Sequence, residues 1–450
     1  MYIPHTDAER EAMLRAIGVE KIEDLFEAVP AAYRFPKLEL PEALTEMEVL
    51  AELEATASAN ASTHDLICFL GAGAYNHYIP AVVDAVLRRG EFYSAYTPYQ
   101  PEVSQGTLQA MFEYQSLVVA LTGMEVANAS HYDGATAVAE AVIMANSHFR
   151  GKRTKVLLSP ALHPHYIETV RTYNVASGVQ IAGADLDPLS APQALLPLID
   201  AQTMLVVVGY PDFFGRVYDL TALAEAVHAA GALLCVTVNP TALGLLTPPG
   251  DFGADIVTGE GQPLGIPLAY GGPYLGIFAT RKEYVRKMAG RLVGESLDNR
   301  GQRAYVLTLT AREQHIRREK ATSNICSNQG LMALASAVYM SFLGKHGLRQ
   351  VAELCYHKAH YAAEQISILT GYQVLAEIPF FHEFIVECPR PVAEINEHLL
   401  EHGILGGYDL GEAYPDIPAM KRRMLVAVTE MNSREDIDVL VSVLSEVSHD

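Results

Sequence analysis

The stretch that decides the fold runs from residue 204 to residue 259. It reads MLVVVGY (204–210), LTALAEAVHAAG (220–231), LLCVTV (233–238) and, at its end, ADIVTG (254–259). Short, unbroken apolar runs with a helical pattern between them are typical of parallel strands that helices cover on both faces. The sequence therefore predicts the centre of an α/β sheet in this stretch.

The same alternation of strand and helix extends in both directions, from about residue 151 to residue 290. Before the central stretch lie the apolar runs KVLLS (155–159) and VQIAG (179–183). After it comes YLGIFAT (274–280), followed by RKEYVRKMAG (281–290), which we expect to be helical. The pattern predicts one large domain that is doubly wound around a parallel sheet.

The ends of the chain differ in texture from this domain. Residues 1–65 are polar and helical, with a capping-box pattern at Thr6 and Glu9, and they form either an arm that packs across another surface or a helical cap on their own domain. We assign residues 66–345 to the large domain. Residues 346–450 alternate strand and helix again and are predicted to form a small C-terminal α/β domain.

Composition excludes several classes of partner. The chain has 450 residues, half of them hydrophobic, and its 53 acidic and 32 basic residues give a net charge of −21. So acidic a surface repels nucleic acid and anionic lipid. No apolar run approaches the ~18 residues needed to span a bilayer, and the N-terminus lacks the pattern of a secretion signal. We therefore expect a cytoplasmic protein.

Cysteine spacing gives no sign of a disulfide framework or a zinc knuckle. The five cysteines are scattered and form no CxxC pair. His163 and His165 lack the spacing of an HExxH motif, so we expect no metal. Cys326 offers a reactive thiol, but a small buried residue is the interpretation we favour.

A run of small residues at the start of one predicted helix is a candidate anion site. Its backbone N–H groups and the Thr136 hydroxyl would face a phosphate, and the helix dipole favours negative charge there. The alternative is a plain helix start that packs tightly on the sheet. The residues of this candidate phosphate cup are His131, Gly134, Ala135 and Thr136.

Two loops and one basic cluster carry further polar groups. Phe92–Glu102 combines three tyrosines with two prolines, which suits a binding edge or interface, or an ordinary surface loop. Gly71–Tyr78 is a second loop of small residues with polar tips. The basic cluster could bind a carboxylate or phosphate, or form a helix face paired with internal acids. Its members are Arg312, Arg317, Arg318 and Lys320.

Four of these motifs together resemble one family. The motifs are GAGAYNHYIP (71–80), YTPYQPEVSQG (96–106), DGATAVAEA (133–141) and REKATSNICSNQ (318–329). In this order they resemble the glycine-cleavage P-proteins, the decarboxylating glycine dehydrogenases, and more narrowly the alpha subunit of their two-subunit form. The resemblance runs essentially end to end. It implies the pyridoxal-phosphate fold type I, with a mainly parallel seven-stranded sheet in the large domain.

The chain departs from that family's fold at the two residues that would hold the cofactor. The fold pairs an aspartate with the pyridine nitrogen and forms a Schiff base through a lysine. Here Asn239 stands after the strand that should end in the aspartate, and Gln262 stands near the position of the lysine. Of the ten lysines only Lys320 lies in a plausible site loop, and it follows the wrong element. We expect no covalent cofactor on this chain.

The resemblance also implies partners and a shared site. A beta subunit, in an α2β2 heterotetramer, would carry pyridoxal phosphate, decarboxylate glycine with this chain's help and pass the aminomethyl group to the lipoyl group of the H-protein. The residues lent to that site would be Tyr96, Thr97, Tyr99 and Gln100, and the cup at His131–Thr136 would be vestigial. Two alternatives stay open: a self-sufficient pyridoxal-phosphate lyase or aminotransferase, and a non-catalytic scaffold subunit.

Overall fold

The computed structural model describes residues 4–447, which fall into two compact units divided between Ala61 and Ser62. In the described range the α-helices are α1 Asp7–Ile17, α2 Glu46–Ser58, α3 Ala81–Leu87, α4 Gly90–Tyr93, α5 Gln105–Thr122, α6 Gly134–Phe149, α7 Pro164–Asn174, α8 Thr221–Ala229, α9 Gln314–Arg317, α10 Gly330–Ser367, α11 Val392–Glu401, α12 Leu410–Ala413 and α13 Arg434–Val447. The strands are β1 Ile67–Cys68, β2 Val126–Ala127, β3 Lys155–Leu158, β4 Gln180–Ala182, β5 Thr203–Tyr210, β6 Leu233–Val238, β7 Ile256–Glu260, β8 Gly276–Thr280, β9 Leu292–Leu297, β10 Arg303–Thr308, β11 Gln373–Val374, β12 Glu383–Glu387, β13 Ile404–Leu405, β14 Tyr408–Asp409 and β15 Arg423–Ala427.

The N-terminal unit contains α1 and α2, and α1 begins and ends as its sequence predicts. The Thr6 hydroxyl accepts the N–H of Glu9, and the Glu9 carboxylate accepts the N–H of Thr6 in return. Gly18 ends the helix in the left-handed region at φ +89°. Neither helix buries a residue. The unit's role as an arm or as a cap stays a prediction.

A mainly parallel seven-stranded sheet forms the centre of the second unit, in the order β2-β8-β7-β6-β5-β3-β4. Strands β4, β3, β5, β6 and β7 run parallel. Every residue of β5 and β6 is buried, as expected for strands covered on both faces. The predicted α/β architecture is confirmed.

Two local predictions around β8 are wrong. Strand β8 runs antiparallel to β7, and the connection between them (residues 261–275) contains a 3₁₀ turn at Ala269–Gly271 but no α-helix that could serve as a parallel crossover. Residues 281–290 hold only the 3₁₀ turn Lys282–Tyr284 rather than an α-helix. The antiparallel ribbon of β9 and β10 follows, where the sequence analysis placed no strand.

Hydrophobic residues form a core on each face of the large sheet. One cluster contains residues of α6 and α7 together with the side chains on one face of β3, β5 and β6. The other includes residues of α5, α8 and α10 and the opposite side chains of the same strands. The two helical layers hold the strands in place, so the loops at their carboxyl ends project from a rigid base.

The C-terminal part builds a separate antiparallel sheet in the order β11-β12-β15-β14, covered by α11 and α13. The stretches EFIVEC (383–388) and RMLVAVT (423–429) predict its two longer strands, and residues 391–403 and 433–447 predict both of those helices, each within a few residues. Helix α10 leads into it and departs from helical geometry at Gly344 (φ +58°). The proposed boundary at residue 345 stays a prediction. Among residues 4–447, no helix has the length and apolar character to cross a bilayer.

Candidate functional site

The candidate site is a cleft at the carboxyl ends of β5, β6 and β7. Its lining includes Gly209 at the end of β5, Asn239 after β6 and Glu260 at the end of β7. Side chains from the loop 71–78 and from β12 close it on the other side. In a doubly wound sheet this edge is where ligands bind. The cleft therefore lies at the edge of the sheet where the two departures from the cofactor-binding pattern, Asn239 and Gln262, were located.

Asn239 forms a neutral pair with a buried histidine. Its Nδ2 donates to His382 Nε2 at 2.9 Å, and its Oδ1 accepts the N–H of Thr241 at 3.0 Å. The His382 Nδ1 donates to the carbonyl of Val428, which fixes the tautomer. Burial, with His77 nearby, lowers the pKa of His382 to about 3, so the ring is neutral. The position offers an amide and an imidazole in place of a carboxylate.

Both the oxygen and the nitrogen of the Gln262 side-chain amide form hydrogen bonds, which link the loop 71–78 to the segment after β7. Its Oε1 accepts the N–H of Tyr75, and its Nε2 donates to the carbonyls of Tyr75 and Ile266, each at 2.9 Å. The side chain is 1% exposed. Here the side chain near the predicted lysine position is a structural link between two loops.

At the start of α6, hydrogen-bond donors of the candidate phosphate cup are bound by other groups of the same chain. Asp133 caps the helix by accepting the N–H of Thr136 at 2.7 Å, and the Thr136 hydroxyl accepts the N–H of Asp133 at 3.1 Å. The N–H of Gly134 donates to Glu260 Oε2 at 3.0 Å. Carboxylates of the chain itself thus occupy the N–H groups of Gly134 and Thr136, two of the backbone donors that would face a phosphate.

Two neighbours close the cup further. A Cβ placed on Gly134 would lie 2.2 Å from the Tyr166 hydroxyl, so that phenol stands directly over the helix start. Glu260 also accepts the N–H groups of Gln262 and Leu275, each at 3.0 Å. Burial raises the pKa of Glu260 to about 7, although these hydrogen bonds act to lower it. A phosphate at this position would meet a carboxyl group and a phenol.

His131 and Ala135, the other two members of the predicted cup, lie on either side of it. His131 is fully buried, and its ring packs edge-on against Phe278 with the centroids 4.7 Å apart. Burial lowers the pKa of His131 to about 3. Ala135 lines the wide outer part of the cleft.

The sequence analysis missed the carboxyl group that anchors the loop 71–78. Glu383 accepts the Tyr75 hydroxyl at 2.6 Å and the N–H of Ala72 at 2.7 Å. Burial raises the pKa of Glu383 to about 7. Nothing in the sequence pairs residues more than 300 positions apart, whereas Glu260, at the carboxyl end of a strand, carried a signal that could have been noticed.

The four residues predicted to contribute to the partner subunit's site lie on a surface loop outside this cleft. Tyr96 is 80% exposed and Tyr99 is 51% exposed, and Gln100 is exposed as well. Tyr96 and Thr97 line a small cavity together with Asn328 of the fourth motif. In residues 4–447, no hydrogen bond joins this loop to the predicted cup.

A buried arginine holds the loop in position. Arg291, 1% exposed, donates from Nη2 to the Tyr99 hydroxyl at 2.7 Å. The same Nη2 lies 3.8 Å from Glu313 Oε2, and the Tyr99 ring meets the His315 ring edge-on. The phenol of Tyr99 is therefore fixed by a cation, while part of the ring remains open to solvent. Sequence reasoning missed Arg291 because it is far from the loop in the chain.

Within the described residues the basic cluster beside this loop forms no ion pair, and Glu313 acts on Arg312 only as a nearby charge. The cluster consists of Arg312, Arg317, Arg318 and Lys320. Arg312 donates to the carbonyl of Gly290 at 2.7 Å, and its Nε and Nη1 are buried without a hydrogen bond. The alternative of a helix face paired with internal acids is therefore not what the structure has.

The prediction that Cys326 is a small buried residue is wrong. Its side chain is exposed, because the segment around it is a surface loop whose backbone binds the core instead. The N–H of Cys326 donates to the Tyr132 hydroxyl at 3.1 Å, and the Ser323 hydroxyl donates to Glu140 at 2.7 Å.

Comparison with known proteins gives the same family along the whole chain. The sequence model of the family described as "Glycine cleavage system P-protein" matches residues 1–444. A protein of Thermomicrobium roseum named "Probable glycine dehydrogenase (decarboxylating) subunit 1" is 55% identical over 450 residues, and the match covers 100% of both chains.

Solved structures agree. A crystal structure of glycine decarboxylase (P-protein) of the glycine cleavage system, in inhibitor-bound form, superposes with a TM-score of 0.91 at 43% identity and covers 99% of this chain and 100% of the other. A sphingosine-1-phosphate lyase of Burkholderia pseudomallei is 16% identical, with a TM-score of 0.67 over 93% and 94% of the two chains, which shows the fold alone. The fold is the pyridoxal-phosphate fold type I.

Proposed function

Since the chain belongs to the glycine cleavage system P-protein family, we propose that it acts as the alpha subunit of a two-subunit glycine decarboxylase whose beta subunit carries the cofactor. The family and the full-length relatives make it a component of an enzyme. The division of labour between the two subunits is the part that we propose.

The proposed division of roles between the subunits rests on the candidate phosphate cup at the start of α6, where groups of the chain itself take the place of a phosphate. Pyridoxal phosphate does not fit the residues of this chain's own cleft. The anion would meet Glu260 and the Tyr166 hydroxyl at the start of α6, the pyridinium would meet the Asn239 amide, and Gln262 cannot form an imine. In the proposed division of labour this cleft therefore carries out no chemical step. Its polar groups stabilise the fold.

The surface loop is this chain's contribution to the beta subunit's site. Tyr96, Thr97, Tyr99 and Gln100 present hydroxyl and amide groups on a loop stiffened by prolines, and Arg291 fixes the Tyr99 phenol from below. The hydrogen bond from the buried guanidinium makes that hydroxyl a better donor toward an incoming carboxylate. We propose that the loop orients glycine across the interface.

The unpaired cations next to the loop support an interface at this place. Arg312 keeps two buried donors without partners, and Arg317 and Lys320 lie exposed nearby in a chain of net charge −21. Acidic groups of the beta subunit would neutralise them. The exposed apolar side chains of the N-terminal unit, such as Leu40 and Leu53, suit the predicted arm, which would pack on the same partner.

With its partner the chain would act on glycine in the cytosol. In the proposed reaction, pyridoxal phosphate on the beta subunit supplies the electron sink for decarboxylation, and the lipoyl group of the H-protein accepts the aminomethyl group. The proposed assembly is an α2β2 heterotetramer. All five cysteines are free thiols, which agrees with a reducing compartment.

Glycine–bicarbonate exchange by mixed subunits tests the proposal. Neither purified chain should show exchange alone, and the mixture should. The variants Tyr96→Phe and Tyr99→Phe should lower kcat at least tenfold while the complex stays intact in gel filtration, because each removes one hydroxyl of the loop. Tyr270→Phe is the matched control, since Tyr270 is 97% exposed and lies outside the loop.

The two rival functions give different results in the same assay. A self-sufficient enzyme would show full exchange with this chain alone. A scaffold subunit would tolerate both loop variants with unchanged kcat. Either result would refute the proposal that this chain contributes loop residues to the beta subunit's site.

A further inference from the structure

Two histidines one helical turn apart face a glutamate on a neighbouring helix, far from the cleft in the chain. His398 lies in the last turn of α11, and His402 caps the same helix. Glu446 lies near the end of α13, which packs on α11 in the core of the C-terminal part. The spacing of four residues between the histidines equals that of the HExxH motif, which places two imidazoles on one helix face.

The three side chains converge at distances that suit one small ion. His398 Nε2 lies 3.4 Å from Glu446 Oε2, and His402 Nε2 lies 4.0 Å from the same oxygen. One ligand atom of each residue lies within 4.8 Å of the others. A tetrahedral ion with bonds of about 2.0–2.1 Å spaces its ligand atoms by roughly 3.3 Å, so small side-chain movements suffice to close the set.

Each of the two histidines has one ring nitrogen that is free to bind a metal ion. The His402 Nδ1 donates to the carbonyl of His398 at 3.0 Å, which leaves the lone pair of the neutral ring on Nε2, toward Glu446. The His398 Nε2 is buried and makes no hydrogen bond. The other nitrogen of that ring, Nδ1, lies 3.9 Å from Glu401 Oε2. This separation is too long for a hydrogen bond, so Glu401 would orient the ring of His398 only after a small side-chain movement.

We propose that His398, His402 and Glu446 bind a divalent first-row transition metal ion, with Zn²⁺ as the ion to test. Two imidazoles and one carboxylate suit zinc, nickel or copper, whereas magnesium and calcium prefer oxygen ligands. Three protein ligands leave the fourth position to water. The bound ion links α11 to the C-terminal helix α13 and stabilises this part of the fold.

Zinc titration of the full-length chain without an affinity tag tests the site. After treatment with chelator, the wild-type chain should bind one equivalent of Zn²⁺ in isothermal titration calorimetry. His398→Gln and His402→Gln should each weaken this binding at least tenfold, and Glu446→Gln should weaken it as well. His346→Gln, at an exposed histidine of α10, is the matched control and should bind like the wild type.

Two further measurements separate the site from other sources of binding. Cys326→Ser removes the exposed thiol and should leave the one-equivalent binding unchanged. Circular dichroism without metal should show that the histidine variants fold normally, and Zn²⁺ should raise the Tm of the wild type more than theirs. The proposal fails if the wild type binds no Zn²⁺ at 100 µM, approximately a hundred times a micromolar Kd, or if the histidine variants bind it equally well.

Discussion

Glu140 lies in the middle of α6 with 1% of its surface exposed, so the fold favours the protonated form of its carboxyl group. The Ser323 hydroxyl donates to its Oε1, and its Oε2 is buried without a partner. Burial raises the pKa of Glu140 from 4.5 to about 7, and the Ser323 hydrogen bond opposes this only in part. The substitution that tests this environment is Glu140→Gln.

The sign and size of the effect follow from linkage. Because the pKa is higher in the folded state than in the unfolded state, the folded protein binds this proton more tightly. The contribution to stability is complete below pH 4.5 and is lost as the pH rises through 7. At 1.36 kcal/mol per pKa unit, the loss between pH 5.5 and pH 8.5 comes to about 2 kcal/mol.

Urea unfolding at pH 5.5 and pH 8.5, followed by tyrosine fluorescence because the chain has no tryptophan, measures this loss. The free energy of unfolding of the wild type should fall by about 2 kcal/mol more than that of Glu140→Gln over this interval. Glu225→Gln, at an exposed position of α8, should keep the wild-type pH dependence. Equal pH dependence in the wild type and Glu140→Gln would show that the pKa of Glu140 is not raised by folding.

The remaining predictions concern the buried groups below the cleft. Asp212→Asn should destabilise the fold by about 3 kcal/mol, because it leaves the Arg216 guanidinium, now 2.7 Å from the carboxylate, buried without its counter-ion; an unchanged Tm would contradict this. Gly215→Ala should lower Tm more than Gly301→Ala does. Both glycines have positive φ, but only at Gly215 would a Cβ lie 2.1 Å from the Glu383 carbonyl oxygen, so an equal loss in the two variants would count against that contact.

Local sequence patterns predicted the sheet well where both faces of a strand are buried. Strands β5 and β6 carry unbroken apolar runs, and their positions were predicted to within a residue. The direction of β8 was missed, because periodicity shows that a strand exists but not which way the chain returns. The ribbon of β9 and β10 was missed because its residues are mixed in polarity and partly exposed.

In the candidate site, too, some features could be predicted from the sequence and others could not. Asn239 and Gln262 could be located because each follows a recognisable strand. The closure of the cup by Tyr166, and the anchoring of Tyr75 by Glu383, depend on side chains that only the folded chain brings together. Exposure of Cys326 was mispredicted because an apolar residue type does not show whether its loop turns toward solvent.

The location of the cofactor in the assembled enzyme is the most direct test of this account. Borohydride reduction of the reconstituted alpha–beta complex fixes any imine as a stable adduct, and peptide mass spectrometry then identifies the modified lysine. The proposed division of labour predicts the phosphopyridoxyl group on the beta subunit alone. An adduct on any of this chain's ten lysines would contradict it.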